Sequence, residues 1–439
     1  MNENFLKNIH STHFIGVGGI GVSAVARLML LRGVIVSGSD RDHSIITEKL
    51  ESEGVKIFIG HDSKHVPDSC DLVVYSPAVA NDNPELVIAR ERGVQTLSYP
   101  EVLGMISRGM RTIAVAGTHG KTTTTAMVAG VLVGAHKNPT VIVGSLLRSG
   151  TNFIAGSSDI FIVEACEYKR SFLQLSPEIL VITNIDNDHL DYYGSIEGVQ
   201  KAFAEFVEKM PANGVIVCDP NDALVAMAIK KAVAKIVDYT KETLTKELAV
   251  PGEHNKKNAK AALAVARIIG VDGAESCTLL AEFQGTWRRM EYKGKMDKGA
   301  LVYDDYAHHP TEIKATLQGF RAEYPDARIR VIFQPHLYSR TKLLLDDFAQ
   351  SFTDADEVIV APIYAAREEN DPTISAEILA QRIVDEQKVP ELRVCAMLDF
   401  ETIEKYLRKT ETANDVVVTM GAGDVFKVGE SVLVYKEGI

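Results

Sequence analysis

An apolar run that breaks into glycines, a lysine and four threonines, Ile113 to Thr125 (IAVAGTHGKTTTT), constrains this chain more than any other stretch. Small residues let backbone N–H groups turn inward toward phosphate oxygens. The helix that follows adds its positive end, and a lysine with a hydroxyl beside it supplies charge and a ligand for a divalent cation. The spacing is shorter than in the general P-loop, because only Thr118 and His119 separate Gly117 from Gly120. Packing alone could ask for small residues between a strand and a helix, but the strand-loop-helix context points to a nucleoside triphosphate.

A chain of 439 residues is too long for one ordinary core, and about three units are expected. With 46% apolar and 24% charged residues the composition is that of a globular protein, and no apolar stretch is long enough to span a bilayer. The start, MNENFLKNIHSTHFIGVGG, lacks the basic, apolar and small-residue zones of a secretory signal, so a cytoplasmic protein is expected. Five scattered cysteines without a C-x-x-C pair indicate neither a disulfide framework nor a zinc knuckle. A net charge of -12 argues against nucleic acid, whose backbone is bound by a basic face.

Near the start, Gly16, Gly18, Gly19 and Gly21 follow a short apolar run and lead into a helical pattern. A second strand ends at Ser37-Gly38-Ser39-Asp40, and an acid about twenty residues after such glycines is the ribose partner of the dinucleotide fingerprint. Alone this would suggest NAD and a dehydrogenase; any doubly wound domain needs the same turn. Strands at Ile57–Ile59 and Asp71–Tyr75, the latter ending at Ser76, complete a small parallel sheet. Linkers are expected at Ser107–Thr112 and again at Tyr292–Gly299, which divides the chain into units 1–106, 107–290 and 291–439.

The central unit continues with strands Ile160–Val163, ending in Glu164, and Ile179–Thr183, ending in Asn184-Ile185-Asp186-Asn187-Asp188-His189. Polar residues at strand C-terminal ends are where open α/β sheets bind ligands. Glu164 is either a metal carboxylate opposite Thr122 or a surface acid; His189 is a metal ligand, a proton carrier or a loop residue. Asn255 and Asn258 share a face of an Ala-rich helix, although N-capping is the more common use of an Asn at a helix start such as Asn255. The last unit places Asp304-Asp305-Tyr306-Ala307-His308-His309, Gln334-Pro335-His336 through Arg340, and Gly421-Ala422-Gly423-Asp424 at strand ends. Such a density of ionisable groups marks a site.

Together FIGVGGIGVSAVA, GSD, AGTHGKTTTT, FIVEACE, TNIDNDHLDYYG, GEHNKKNA, DDYAHHPTEI, FQPHLYSRT and GAGDV resemble, in this order, the Mur ligases of bacterial cell-wall synthesis. The resemblance implies an α/β fold of three domains, each with a mostly parallel sheet: Rossmann-like, P-loop ATPase and Rossmann-like. It implies ATP-dependent ligation of L-alanine to the carboxylate of UDP-N-acetylmuramate in peptidoglycan precursor synthesis, with magnesium, by a monomer or weak dimer. A murein-peptide ligase, joining a recycled peptide to the same sugar nucleotide, is the alternative. By motif, Gly18, Gly19, Ile20, Gly21, Ser39, Asp40, His61 and Ser76 would meet the sugar nucleotide. Gly117, Thr118, His119, Gly120, Lys121, Thr122 and Thr123 would hold ATP; Thr122, Glu164 and His189 magnesium; Asn255 and Asn258 the adenine side. Arg288 or Arg289 and Asp304 or Asp305 would close on ATP, and Tyr306, His308, His309, His336 and Arg340 would surround alanine and the reacting carboxylate.

The chain departs from the family pattern at Cys166-Glu167-Tyr168-Lys169, where many members read D-E-S-D, and at Leu337, where some have Arg. Sister ligases carry a carbamylated lysine where this chain has Phe203, which favours the alanine-adding branch.

Overall fold

The computed structural model describes residues 5–6, 8–147, 150–366, 368–388 and 393–433. Among these residues the strands form three sheets. The first contains β1 (Ser11–Ile15), β2 (Ile35–Asp40), β3 (Lys56–Ile59), β4 (Leu72–Tyr75) and β5 (Gln95–Ser98), all parallel, in the order β3-β2-β1-β4-β5. Every residue of β1 is buried, as expected of a strand covered on both faces. The winding reverses between β1 and β4, and such a switch point leaves a crevice at the strand C-termini. The residues that follow these strands meet there: a Cβ on Gly16 would stand 3.1 Å from that of Ser76.

The second sheet contains β6 (Arg111–Ala116), β7 (Thr140–Ile142), β8 (Phe153–Ile154), β9 (Ile160–Glu164), β10 (Ile179–Ile182), β11 (Val215–Cys218) and β12 (Lys235–Asp238). Its order is β12-β11-β10-β6-β9-β7-β8, and β8 runs antiparallel to β7. Central β6 therefore delivers the glycine loop between the ends of β10 and β9.

The third sheet contains β13 (Glu291–Lys295), β14 (Leu301–Asp305), β15 (Arg328–Phe333), β16 (Glu357–Val360), β17 (Val394–Ala396) and β18 (Asp415–Met420) in the order β13-β14-β18-β15-β16-β17. Alternate residues serve its two faces. Ile329, Val331 and Phe333 join one apolar cluster and Ile332 the other, so β15 is covered on both faces, and its buried Arg330 is paired with Glu357 and Asp415.

By Cα proximity the chain forms two compact units. One comprises the residues up to Glu247 together with Lys257–Ala281; the other comprises Leu248–Lys256 and the residues from Glu282 onward. The first unit holds the first two sheets on one continuous apolar core. Buried Arg27 donates to Asn152 Oδ1 (2.9 Å), Lys49 Nζ donates to Gly150 O (2.8 Å), and Gly104 lies so close to the Gln174 backbone that no Cβ fits.

Both expected linkers are corrected by the structure. The helix Tyr99–Arg108 runs almost directly into β6, and buried Ser107 accepts from Ser176 N and donates to Gly104 O. Its polar composition reflects these bonds rather than open chain. Glu291–Lys295 is the antiparallel edge strand β13, whose alternation with charged residues suits a sheet edge. Strands β5, β7, β8, β11 and β12 were absent from the sequence reading.

Candidate active site

The glycine loop is braced from the segment after β10. Thr118 N donates to Asn184 O (3.1 Å), and Asn184 accepts from His119 N and donates to His119 O, both at 2.9 Å. Thr183 Oγ1 also donates to His119 O (2.6 Å), and its oxygen occupies the space a Cβ on Gly117 would need. Gly117 at φ +136° and Gly120 at φ +79° are the positions where glycine is required. Gly120 caps the helix Lys121–Gly134, whose first turn contains buried Thr122 and Thr123. On its other side the side chain of Asn258 packs against Gly120, 2.6 Å from where a Cβ would stand.

Lys121 closes this loop. Its Nζ donates to Gly117 O (2.6 Å) and Thr118 O (2.9 Å) and lies 2.9 Å from the carboxylate of Glu167. Burial works against its charge, but Glu167 and Glu164 outweigh that effect and its pKa lies above the usual lysine range. His189 Nε2 lies 3.6 Å from the same Glu167, with its ring 4.9 Å from that of Tyr168. His189 has φ +54°, a conformation that costs a non-glycine residue about 1–3 kcal/mol and is retained where surroundings over-determine it.

Glu167, not Glu164, therefore joins Lys121 to His189. Glu164 ends β9, and its carboxylate accepts from Gly144 N (2.9 Å). Between them Ala165 is buried and Cys166 exposed, and the chain then passes Lys169 and Arg170 at φ +50° and +60°. That turn, braced by Arg170 on Glu205 and Lys169 on Pro77 O, aims Glu167 inward. The signal available in the sequence was a second carboxylate three residues on. Phe203 is fully buried against Phe172 in the apolar core of the first unit. The carboxylate of Glu167, the imidazole of His189 and the hydroxyl of first-turn Thr122 are donor types that suit a magnesium ion accompanying a phosphate.

At the first switch point, Gly16 has φ +77° and Gly19 caps the helix Ile20–Leu31. Gly21 packs against the ring of Tyr99 with no space for a side chain. Asp40 Oδ2 accepts from Gly18 N (2.8 Å). This bond holds the loop's shape, in place of the ribose contact that the dinucleotide fingerprint assigns to such an acid. Ser76 Oγ accepts from Ala78 N, and Ser39 and His61 are linked at 3.1 Å.

In the second unit, the two candidate arginines separate. Arg288 is buried: it pairs with Asp304 (2.7 Å), donates to Gly421 O (2.6 Å) and Gly423 O (2.9 Å), and lies over the rings of Trp287, Tyr306 and Phe426. Its guanidinium is engaged inside the fold, and Asp304 with it, through a second bond from Thr419 Oγ1 (2.7 Å). Arg289 is the partly exposed one, over the Tyr306 ring and 3.7 Å from Glu312. Asp305 accepts from Met290 N and Ala307 N, both at 2.7 Å, and burial pushes its carboxyl up to about 6 against the pull of Arg289.

Tyr306, His308, His336 and Tyr364 form a series of rings, with centroids 5.4, 6.0 and 5.6 Å apart. Tyr364 was missed by the sequence reading, having no motif around it. His308 is tied to Tyr306 O (3.0 Å), while buried His309 caps the helix Pro310–Glu323 by accepting from Thr311 N. Leu337 is buried at φ +71°, and Arg340 stands half-buried on the short helix that follows. Asn255 lies inside the first turn of Glu253–Ile269 and donates to Pro251 O (2.6 Å), so it is not the N-cap.

Three family models match in sequence order: Mur ligase family, catalytic domain (residues 11–111), Mur ligase middle domain (115–248) and Mur ligase, glutamate ligase domain (288–423). A UDP-N-acetylmuramate–L-alanine ligase of Clostridium kluyveri is 41% identical over 98% of this chain and 99% of its own. The structure of a UDP-N-acetylmuramate-alanine ligase from Thermotoga maritima aligns with TM-score 0.78 at 30% identity, covering 96% of this chain and 98% of that one. A murein peptide ligase from Psychrobacter arcticus aligns with TM-score 0.70 at 25% identity, over 96% and 98%. With all three models matched in order and a near full-length relative at this identity, the chain belongs to the Mur ligase family.

Proposed function

We propose that this chain joins L-alanine to the carboxylate of UDP-N-acetylmuramate, with ATP converted to ADP and phosphate. What carries this reading beyond the family is the phosphate loop with Lys121 bridged by Glu167 to His189. A carboxylate is a poor acyl donor. Transfer of the γ-phosphoryl group onto it gives an acyl phosphate, the amine of alanine attacks the acyl carbon, and the tetrahedral intermediate collapses to an amide and phosphate.

Backbone N–H groups of the loop and Lys121 hold the phosphates in line and neutralise charge that develops on the transferring oxygens. Thr122, Glu167 and His189 would hold magnesium, which when bound adds to that neutralisation. Gly16 to Gly21, with Ser76 and His61, takes the sugar nucleotide at the first switch point. Tyr306, His308, His336 and Arg340 take alanine, with His308 assigned as acceptor of the amine proton. Asn258 faces the nucleotide side of the loop, and Arg289 replaces Arg288 as the arginine that answers to ATP. The reaction belongs in the cytoplasm, where ATP and nucleotide sugars are held.

Phosphate release with ATP, magnesium and UDP-N-acetylmuramate tests this across amine donors. Release with L-alanine and none with a tripeptide is expected; the reverse order would make the chain a murein-peptide ligase.

A further inference from the structure

Among the buried carboxylates that the mechanism does not use, Glu85 lies beside the first glycine loop's sheet and gathers histidines. Glu85, in the first turn of the helix Pro84–Glu91, is fully buried, yet no apolar neighbour explains it. Its Oε2 accepts from Ser39 Oγ (2.5 Å) and lies 3.3 Å from His13 Nε2. Its Oε1 accepts from Asp62 N (3.2 Å) and lies 2.9 Å from His65 Nδ1 and 3.6 Å from His61 Nδ1. Groups from β1, the end of β2 and the segment after β3 thus converge on one side chain.

Burial raises the Glu85 pKa, but the bonds from His13, Ser39 and His65 more than offset it and hold it near 2, so the group is a carboxylate and can only accept. Ser39 has one hydroxyl proton, and Glu85 takes it. The bond between Ser39 Oγ and His61 Nδ1 (3.1 Å) must then be donated by the imidazole. His61 is thus held with a proton on Nδ1, and in the neutral ring this makes Nε2 the acceptor, on a side chain that is 27% exposed.

We infer that Glu85 is a positioning residue for the sugar nucleotide: through Ser39 it fixes the tautomer of His61, so that Nε2 accepts from an N–H or O–H donor on the nucleoside. This rests on the reading of the first glycine loop as the sugar-nucleotide site. The donors available on a uridine are the base N3–H and the ribose hydroxyls. A site built to accept rejects an analogue that lacks the donor, because the acceptor is left unpaired.

The test uses the full chain, with nitrogen NMR of the His61 ring and calorimetric titration of UDP-N-acetylmuramate. The Nδ1–H tautomer is expected in the native protein. Glu85→Gln frees the Ser39 proton and should populate the Nε2–H form; Ser39→Ala removes the link while leaving Glu85 its other partners. Both variants should bind the nucleotide about fivefold to tenfold more weakly, with KM for ATP and alanine unchanged. If Glu85→Gln fails to fold, Ser39→Ala alone decides.

An Nε2–H tautomer in the native protein would overturn the inference. So would unaltered affinity in Ser39→Ala alongside weakened binding by His61→Ala. If His61→Ala itself binds normally, the assignment of this site to the sugar nucleotide fails first, and the lock's role with it. N3-methyluridine diphosphate and 2′,3′-dideoxyuridine diphosphate identify the donor: the one that loses His61-dependent affinity lacks it. Equal, UDP-like binding of both would overturn the inference.

Discussion

Lys121 carries the clearest consequence of a single residue. Removing a preorganised donor to transferring oxygens costs about 10²–10³ in rate, so Lys121→Ala should lower kcat by about that factor in a phosphate-release assay, and Glu167→Gln, which removes the carboxylate that holds Lys121, should lower it as well. Nucleotide-sugar affinity should be unchanged in both, because these side chains lie at the strand ends of the second sheet and the sugar nucleotide is assigned to the first. Arg288 should behave in the opposite way. Breaking its buried pair with Asp304 leaves an unpaired charge, and Arg288→Ala should lower stability by about 3–5 kcal/mol, seen as a fall in Tm. A variant of normal Tm with no activity would instead make Arg288 catalytic. The sequence could not separate Arg288 from Arg289, or Glu164 from Glu167, because adjacent or near-adjacent residues share a motif but not a direction. The left-handed turns at Lys169, Arg170 and Arg288 decide those directions, and no propensity signals them.

At the scale of elements, the glycine loop depends on the segment that follows β10 as much as on its own sequence. Ala at Gly120 would be strained at φ +79° and meet Asn258, so Gly120→Ala should weaken ATP binding while leaving the fold intact by circular dichroism. Unaltered ATP affinity would show that the cradle tolerates a side chain. The first helix turn carrying Glu85 makes a pH-dependent contribution. Its carboxyl is held near 2 against an ordinary value of 4.5, so the stability it adds is fully present above about pH 4.5 and is lost as pH falls toward 2. The Tm gap between the native protein and Glu85→Gln should therefore narrow over that range; a constant gap would contradict the assignment. Most site-bearing strands were legible because both-face burial makes them continuous apolar runs, as in β6, β10 and β18. Gln95–Ser98 and Glu291–Lys295 were not, since polar edge strands match the composition of loops.

For the whole molecule, three sheets set polar residues at strand C-termini, and the order of strands brings distant motifs to one place. Within the first unit, β9, β6 and β10 are neighbours, which is why Glu167, Lys121 and His189 meet although the chain separates them. The sequence held all three residues in order; it did not hold the sheet order that joins them. Among the described residues, no helix is long and apolar enough to cross a membrane. The chemistry assigned to the loop differs from that of an ATPase in one respect: the phosphoryl group passes to a carboxylate instead of water, and leaves as phosphate carrying that carboxylate's oxygen. That difference can be read in the isotopes. With ¹⁸O in the carboxylate of UDP-N-acetylmuramate, turnover with ATP and L-alanine should place one ¹⁸O in each released phosphate. Phosphate released without label, while the amide still forms, would contradict transfer through an acyl phosphate.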